Sequence, residues 1–163
     1  MPTPGRETPS GELKDSQLIA TTLLDAKLVL RTSPYYLEQK GRPDSLYAAV
    51  NSGDFITPTF VNLKEKFNQL LSHHNVHYQD LVFSHTSDNL DSIIKLVKRG
   101  QGMALVPHIF VEKDFERHYL VSVGLDVNFP RIPVNLMHRR RTSKIRIMTV
   151  FKQYVSSYFS VYK

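Results

Sequence analysis

The 163-residue sequence contains no cysteine. Disulfide bonds, thiolate zinc sites, iron–sulfur clusters and cysteine nucleophiles are therefore excluded. Long apolar runs are also missing, because stretches such as residues 103–106 fall far short of the roughly 18 apolar residues of a membrane span. Residues 1–14 lack a basic start followed by an apolar core, so we expect no secretory signal in them. With 41% hydrophobic and 22% charged residues, these absences predict a soluble globular chain, and we expect a cytoplasmic location without membrane contact.

The charge of the chain is positive. Lysine and arginine number 21 against 15 aspartate and glutamate, which gives a net charge of +6. Such an excess favours anionic partners. A basic run covers residues 138–141, and Lys144 and Arg146 follow it. No zinc finger, helix-turn-helix or aromatic stacking pattern accompanies the run, so a solvated or partner-facing turn is favoured over a nucleic-acid contact.

Short β-type segments alternate with amphipathic helical windows from residue 26 onward. Such alternation predicts an α/β fold with a largely parallel sheet. Ser33, Asn62 and Ser143 are the predicted N-caps of three of the helices. The predicted strands are 27–31, 54–57, 80–84, 102–106, 119–123 and 132–137, and the predicted helices begin at Pro34, after Asn62, at about Leu90, at about Ile109 and at about Lys144.

Three predicted strand–helix junctions carry hydroxyl side chains. In an open parallel sheet, ligands bind outside the carboxyl ends of the strands, where the following helices begin. Hydroxyls and unpaired N–H groups at a helix start can hold a carboxylate or another small anion. Alternatively, each serine or threonine caps its own helix and does nothing more. The junctions are Thr32–Ser33, Thr57–Pro58–Thr59 and Thr86–Ser87, which we expect to meet at one end of the sheet.

Patterns for catalysis and metal binding are weak. The sequence has no Gly-x-Ser-x-Gly motif, and no serine, histidine and carboxylate stand in a recognisable nucleophilic order. Two neighbouring ligands do not make a metal site. We therefore expect no enzyme, no metal site and no cofactor. The incomplete clusters are Ser84–His85, His73–His74–His77 and His108–Glu112.

Six stretches of the sequence are informative together. They are GELKDSQLIA at 11–20, LVLRTSPYYL at 28–37, GRP at 41–43, DNLDSIIKL at 88–96, GQGMALVP at 100–107 and HRRRTSKIR at 138–146. Their succession resembles the effector-binding domain of LysR-type transcriptional regulators, and the match covers nearly all of residues 11–159 in the family's order. The resemblance implies a fold similar to the type 2 periplasmic binding proteins, in which two α/β lobes joined by crossing strands hold the effector in a cleft.

The resemblance also implies a domain organisation. Residues 1–14 would be a disordered tail, 15–29 part of the first lobe, 30–133 a complete effector-binding lobe, and 134–163 the return to the first lobe with a C-terminal helix. The winged helix-turn-helix, the linker helix and the first elements of the first lobe would be absent. DNA would therefore be bound only through the helix-turn-helix of the parent family.

The function that the resemblance implies is the control of transcription by sensing a small molecule, often a carboxylate. The chain would form a homo-oligomer or pair with a full-length regulator. Carried over by position, the residues expected to line the effector pocket are Thr32, Ser33, Thr57, Thr59, Thr86, Ser87 and Pro107.

Three other functions remain open at this stage. The chain could be an interaction module that binds no ligand and pairs with full-length regulators through its apolar C-terminal helix. It could be the solute-binding protein of a transporter, although residues 1–14 do not supply the secretion signal that this role needs. It could also be a gene fragment without independent activity.

Overall fold

The computed structural model describes residues 18–52, 54–59, 61–77, 81, 83–140 and 146–162. The chain forms two compact units. The larger unit is Lys27–Ile132, and the smaller unit combines Met1–Ala26 with Pro133–Lys163. The lobe boundaries expected from the sequence, 29/30 and 133/134, lie within three residues of these. The expected tail at 1–14 lies outside the described residues.

The described strands form one mixed sheet in the order β3-β2-β4-β1-β5, and β6 pairs with β1. β2 runs parallel to β3 and to β4, whereas β1 is antiparallel to both β4 and β5. The prediction of a largely parallel sheet is therefore wrong for β1. The strands are β1 (Leu18–Thr32), β2 (Phe55–Pro58), β3 (Phe83–Ser87), β4 (Met103–Pro107), β5 (Val121–Ser122) and β6 (Arg131–Arg139).

The helices are α1 (Pro34–Lys40), α2 (Leu46–Asn51), α3 (Val61–His73), α4 (Leu90–Lys98), α5 (Glu112–Glu116) and α6 (Arg146–Phe159), with 3-10 turns at His108–Phe110 and Ser160–Tyr162. The prediction for α1 is confirmed, since the Ser33 hydroxyl caps it, Pro34 opens it and Gly41 ends it. Asn62, the predicted cap of α3, lies within that helix. Helix α2 was not predicted.

Helix α4 shows how local signals determine an element. The sequence predicts an apolar face of Leu90, Ile93, Ile94 and Val97, of which Ile93 and Val97 are at most 1% exposed and the other two are partly buried. The Asn89 side chain caps the start of the helix by accepting a hydrogen bond from the backbone of Ser92 at 3.0 Å. The helix ends at Lys98, and Gly100 just beyond it has a φ of +75° and donates its N–H to the Val97 carbonyl at 2.9 Å.

The larger unit has a hydrophobic cluster on each side of its sheet. The first is centred on Phe55, whose ring stacks on that of Phe67 with centroids 5.3 Å apart. The second packs α4 onto the other face through Ile93 and Val97, and it includes Val29 and Val106. Buried apolar side chains on both faces of β2 and β4 agree with the continuous apolar sequence of these strands.

Helix α6 differs from its prediction. The sequence predicts an apolar face of Ile147, Phe151, Val155 and Tyr158, flanked by Met148, Phe159 and Tyr162, but Ile147, Phe151 and Tyr158 are exposed. Of the predicted face only Val155 is partly buried, together with the flanking Met148 and Phe159 and with Lys152. The predicted cap Ser143 lies outside the described residues. No helix in the described part of the chain is long and apolar enough to cross a membrane.

Candidate functional site

The strands β2, β3 and β4 finish at the same end of the sheet because they run in the same direction. We call this the carboxyl end. The last residues of the three strands are Pro58, Ser87 and Pro107. Pro58 and Pro107 are buried, whereas Ser87 is half-buried on the outermost strand. The carboxyl end thus has an apolar floor of two buried prolines beside the more accessible β3.

The carboxyl end brings two of the predicted hydroxyl junctions together. In the parallel register of β2 and β3, Thr57 is the partner of Thr86. The N–H of Thr59 donates to the carbonyl oxygen of Ser87 at 2.9 Å, which ties the two strand ends. Thr57 is 6% exposed, whereas Thr59 and Thr86 are open to solvent. Four of the seven predicted site residues are therefore neighbours.

The hydroxyl groups at the carboxyl end differ in how they are used. Ser87 Oγ accepts the N–H of Asn89 at 3.1 Å, so it shapes the turn into α4. Thr57 Oγ1 has a long contact of 3.4 Å with the Pro58 carbonyl oxygen. Within the described residues, no hydrogen bond involves the hydroxyl of Thr59 or Thr86. These two hydroxyls can both donate to and accept from a ligand.

The structure adds His108 to the carboxyl end. It follows Pro107 directly, and its Nδ1 is buried without a hydrogen-bond partner in the described part of the molecule. Sequence reasoning considered this histidine only as a metal ligand with Glu112. Its position one residue after a strand-ending proline is the signal that could have placed it beside the predicted site.

Thr32 and Ser33 lie at the opposite end of the sheet. Thr32 pairs with Met103, the first residue of β4, and its Oγ1 donates to the carbonyl oxygen of Gly102 at 2.9 Å. Ser33 Oγ accepts the N–H of Tyr36 at 3.1 Å and is 2% exposed. Both hydroxyls are thus occupied by structural hydrogen bonds. The expectation that all three junctions meet at one end of the sheet is wrong for this pair.

The direction of β1 explains this difference. β1 enters the larger unit at Lys27, beside the carboxyl end, where Leu28 pairs with Pro107. Because β1 is antiparallel to β4, its own carboxyl end at Thr32 lies where β4 begins. A strand that follows a crossover helix would have the opposite direction. The sequence around residue 30 carries no signal for this choice.

Other candidate sites gain no support from the structure. Among the described residues, no group of three or more histidine, aspartate or glutamate side chains could hold a metal ion. Of the basic run, His138 is buried and Arg139 and Arg140 are exposed, whereas residues 141–145 lie outside the described residues. The nucleic-acid hypothesis therefore rests on charge alone.

Solved structures share the fold of this chain. The regulatory domain of CrgA, a LysR-type transcriptional regulator from Neisseria meningitidis, has a TM-score of 0.70 and 18% identity over 88% of this chain and 70% of that chain. The effector domain of the transcriptional regulator AmpR of Pseudomonas aeruginosa has a TM-score of 0.70 and 13% identity over 89% of this chain and 66% of that chain. A second solved structure is that of CrgA itself, without restriction to the regulatory domain. This chain spans 50% of the length of the CrgA chain in that structure.

Sequence comparison identifies the family. No curated protein matches the chain significantly in sequence. The family profile of the LysR substrate binding domain, however, matches residues 7–160, which is nearly the whole chain. The larger unit's α/β sheet agrees with this family, and so does the similarity in fold to regulatory and effector domains. The chain therefore belongs to the LysR substrate binding domains, the effector-binding domains of LysR-type transcriptional regulators.

Proposed function

We propose that this domain binds a small carboxylate effector at the carboxyl end of its sheet. Thr57, Thr59, Thr86 and Ser87 form the polar side of the site, and Pro107 forms part of its floor. The observation that carries the proposal is the pairing of Thr57 with Thr86, beside hydroxyls that make no hydrogen bond within the described residues. Thr32 and Ser33 are not part of this site, because their hydroxyls bond at the opposite end of the sheet.

The chemistry of these groups supports a carboxylate. Neutral hydroxyls donate to carboxylate oxygens, and a hydrogen bond to a charged group contributes about 1.5–3 kcal/mol. The net charge of +6 raises the local concentration of anions around the chain. A neutral amide of the same shape lacks this charge and should bind more weakly.

The function of the whole regulator is a wider proposal. The chain spans half the length of the longer CrgA chain, which is described as a LysR-type transcriptional regulator. We propose that effector binding to this domain controls transcription through a DNA-binding domain of the parent family. The domain itself acts as the sensor in the cytoplasm and catalyses nothing.

Replacing Thr86 by valine should weaken effector binding. Valine keeps the branched shape that suits a strand but loses the hydroxyl, so affinity should fall about tenfold or more. Differential scanning calorimetry of the chain with aliphatic and aromatic carboxylates, each paired with its amide, first identifies an acid that raises the Tm by mass action. Isothermal titration calorimetry then gives the affinity of the variant.

Ser33→Ala is the matched control. It also removes a single hydroxyl, but one that caps α1 at the opposite end of the sheet. It should lower the free energy of unfolding by about 1 kcal/mol and leave effector affinity unchanged. Equal binding of acids and amides, or full affinity in the Thr86 variant, would contradict the proposal.

A second proposal is that two copies of this chain associate through α6. Its exposed apolar residues lie within about 100° of one another around the helix axis, taking 100° per residue. The most exposed of those within the helix, Ile147 and Tyr154, have relative accessibilities of 75% and 72%. A contiguous apolar face of this kind is typical of a protein–protein contact. The face consists of Ile147, Val150, Phe151, Tyr154 and Tyr158.

Sedimentation velocity over a range of concentrations tests this pairing. The parent chain should associate, and Tyr154→Lys should shift it towards monomer because a charge would enter the apolar contact. Gln153→Lys adds the same charge next to the face, on an exposed polar residue, and should associate like the parent. A parent chain that stays monomeric at every concentration would refute the pairing.

A further inference from the structure

The larger unit contains a cavity of about 300 Å³ that shares no lining residue with the predicted site at the carboxyl end of the sheet. It lies between β1 and the segment 122–129, on the side of β1 that faces away from β4. Its volume is at the lower limit of cavities that bind small molecules. The lining residues are Lys27, Val29, Leu30, Arg31, Phe115, Ser122, Gly124, Leu125, Val127 and Phe129.

The backbone explains why this space exists. β5 pairs with β1 only at Val121 and Ser122, and Val123 then donates to the Leu30 carbonyl at 3.5 Å. The next backbone bond to β1 runs from the Leu28 N–H to the carbonyl oxygen of Pro130, at 3.0 Å. The segment between these bonds bows away from β1 and leaves a gap. The gap is thus fixed at both ends by the fold.

Arg31 is the unusual residue of this cavity. Its side chain is buried, at 8% exposure, and its Nε has no hydrogen-bond partner among the described residues. No carboxylate of the described chain pairs with it, and its guanidinium carbon lies 4.4 Å from the centroid of the Phe115 ring. Burial lowers the pKa of the guanidinium from its ordinary value, but arginine stays charged. A buried cation without an anion is costly, and a bound anion would offset that cost.

The rest of the lining fits an anion with an apolar body. Lys27, Val29 and Arg31 lie on the same face of β1, because side chains alternate along a strand. Two cations therefore flank one apolar residue, and no acidic side chain is among the lining residues. The segment 122–129 adds the apolar side chains of Leu125, Val127 and Phe129 to the lining, and these also pack against the first hydrophobic cluster.

We propose that this cavity is a second ligand site, which binds a small aromatic carboxylate. The carboxylate pairs with the Arg31 guanidinium, Lys27 adds longer-range attraction, and the ring lies on Leu125, Val127 and Phe129. The site is independent of the carboxyl end, because it shares no residue with Thr57, Thr59, Thr86 or Ser87. With both sites, the domain responds to two different ligands.

Benzoate and its neutral isostere benzamide are the test ligands, titrated calorimetrically into the whole chain. Benzoate should bind and benzamide should not. Arg31→Met keeps the length of the side chain and removes the charge, so benzoate affinity at this site should fall at least tenfold. The same variant without ligand should have a higher Tm than the parent, because a buried unpaired charge is gone. If Arg31 had a purely structural role, the Arg31→Met variant would have a lower Tm than the parent.

Two further variants assign the binding event to a site. Arg99→Met removes the same charge from an exposed position and should leave benzoate binding unchanged. Thr86→Val should also keep the Arg31-dependent event, whatever happens to binding at the carboxyl end. Loss of benzoate binding in the Thr86 variant, with full binding in the Arg31 variant, would overturn the second site and leave the first proposal intact.

A measurement on the unmutated chain covers the case in which the Arg31 variant does not fold. The Nε–H resonance of Arg31 in a ¹H–¹⁵N NMR spectrum should move on addition of benzoate and stay in place with benzamide. No movement up to saturating benzoate would refute the site. Equal movement with both ligands would show that charge pairing with Arg31 does not drive binding, and would refute it equally.

Discussion

Gly102→Ala should lower the free energy of unfolding by about 3 kcal/mol or more, since a strained backbone and an overpacked contact each cost about 1–3 kcal/mol. Gly102 has a φ of +153°, and a Cβ added there would overlap the carbonyl oxygen of Asp54. That carbonyl accepts the N–H of Met103 at 3.0 Å and joins the starts of β2 and β4. Relief of the overlap would disturb this bond. Urea denaturation followed by circular dichroism measures the change.

Gly41→Ala is the control for this prediction. Gly41 also has a positive φ, +80°, but no atom lies within 4 Å of an added Cβ. Its substitution should therefore cost only the backbone strain, about 1–3 kcal/mol, and less than Gly102→Ala. Equal losses in the two variants would show that the contact with Asp54 is unimportant.

Phe55→Ala should lower the free energy of unfolding by about 3–5 kcal/mol. Phe55 is 1% exposed at the start of β2, and its ring stacks on Phe67 of α3. Its removal leaves a cavity between the sheet and α3. For a chain of this size, the Tm should fall by roughly 10 °C or more. The same strand carries Thr57, so effector-dependent stabilisation should also weaken.

Phe110→Ala is the comparison for this core substitution. Phe110 lies in the 3-10 turn after β4 and is 49% exposed. Its truncation should change the free energy of unfolding by no more than about 0.5 kcal/mol, because a surface side chain loses few contacts. A large loss in this variant would show that the turn is packed more tightly than its exposure indicates.

Elements defined by local chemistry were predictable from the sequence. Helix α4 has its apolar face at the predicted positions, and α1 starts and ends where a serine, a proline and a glycine place it. β4 was recognisable from its continuous apolar run. In the two helices the deciding interactions join residues only a few positions apart.

Elements that depend on distant contacts were predicted less well. β3 continues to Ser87 instead of ending at about residue 84, so Thr86 and Ser87 lie within it and not at a helix start. Their pairing with β2 extends the strand. The sequence of residues 80–88 contains no pattern that predicts this pairing with residues about 30 positions away. Helix α6 is similar, since its periodicity is helical but its neighbours decide which side is covered.

The candidate site was predicted in part for the same reason. Thr57, Thr59, Thr86 and Ser87 lie together because consecutive parallel strands share a direction, which the alternation of strands and helices already indicates. Thr32 and Ser33 lie elsewhere because the direction of β1 is set by its continuation into residues 18–26. The cavity at Arg31 arises where two segments nearly 100 residues apart stop pairing, so it could be found only in three dimensions.

The exposed apolar face of α6 also determines which method can follow the thermal unfolding of this chain. Fluorescent dyes such as anilinonaphthalene sulfonate bind to accessible aromatic and aliphatic surface, and Phe151 and Tyr154 offer such surface in the native fold. The folded chain should therefore give a bright signal before any heating, and the usual rise on melting should be small. The sequence also has no tryptophan to report unfolding by its own emission. Heat capacity, which senses the exposure of the whole interior, follows the transition without a probe.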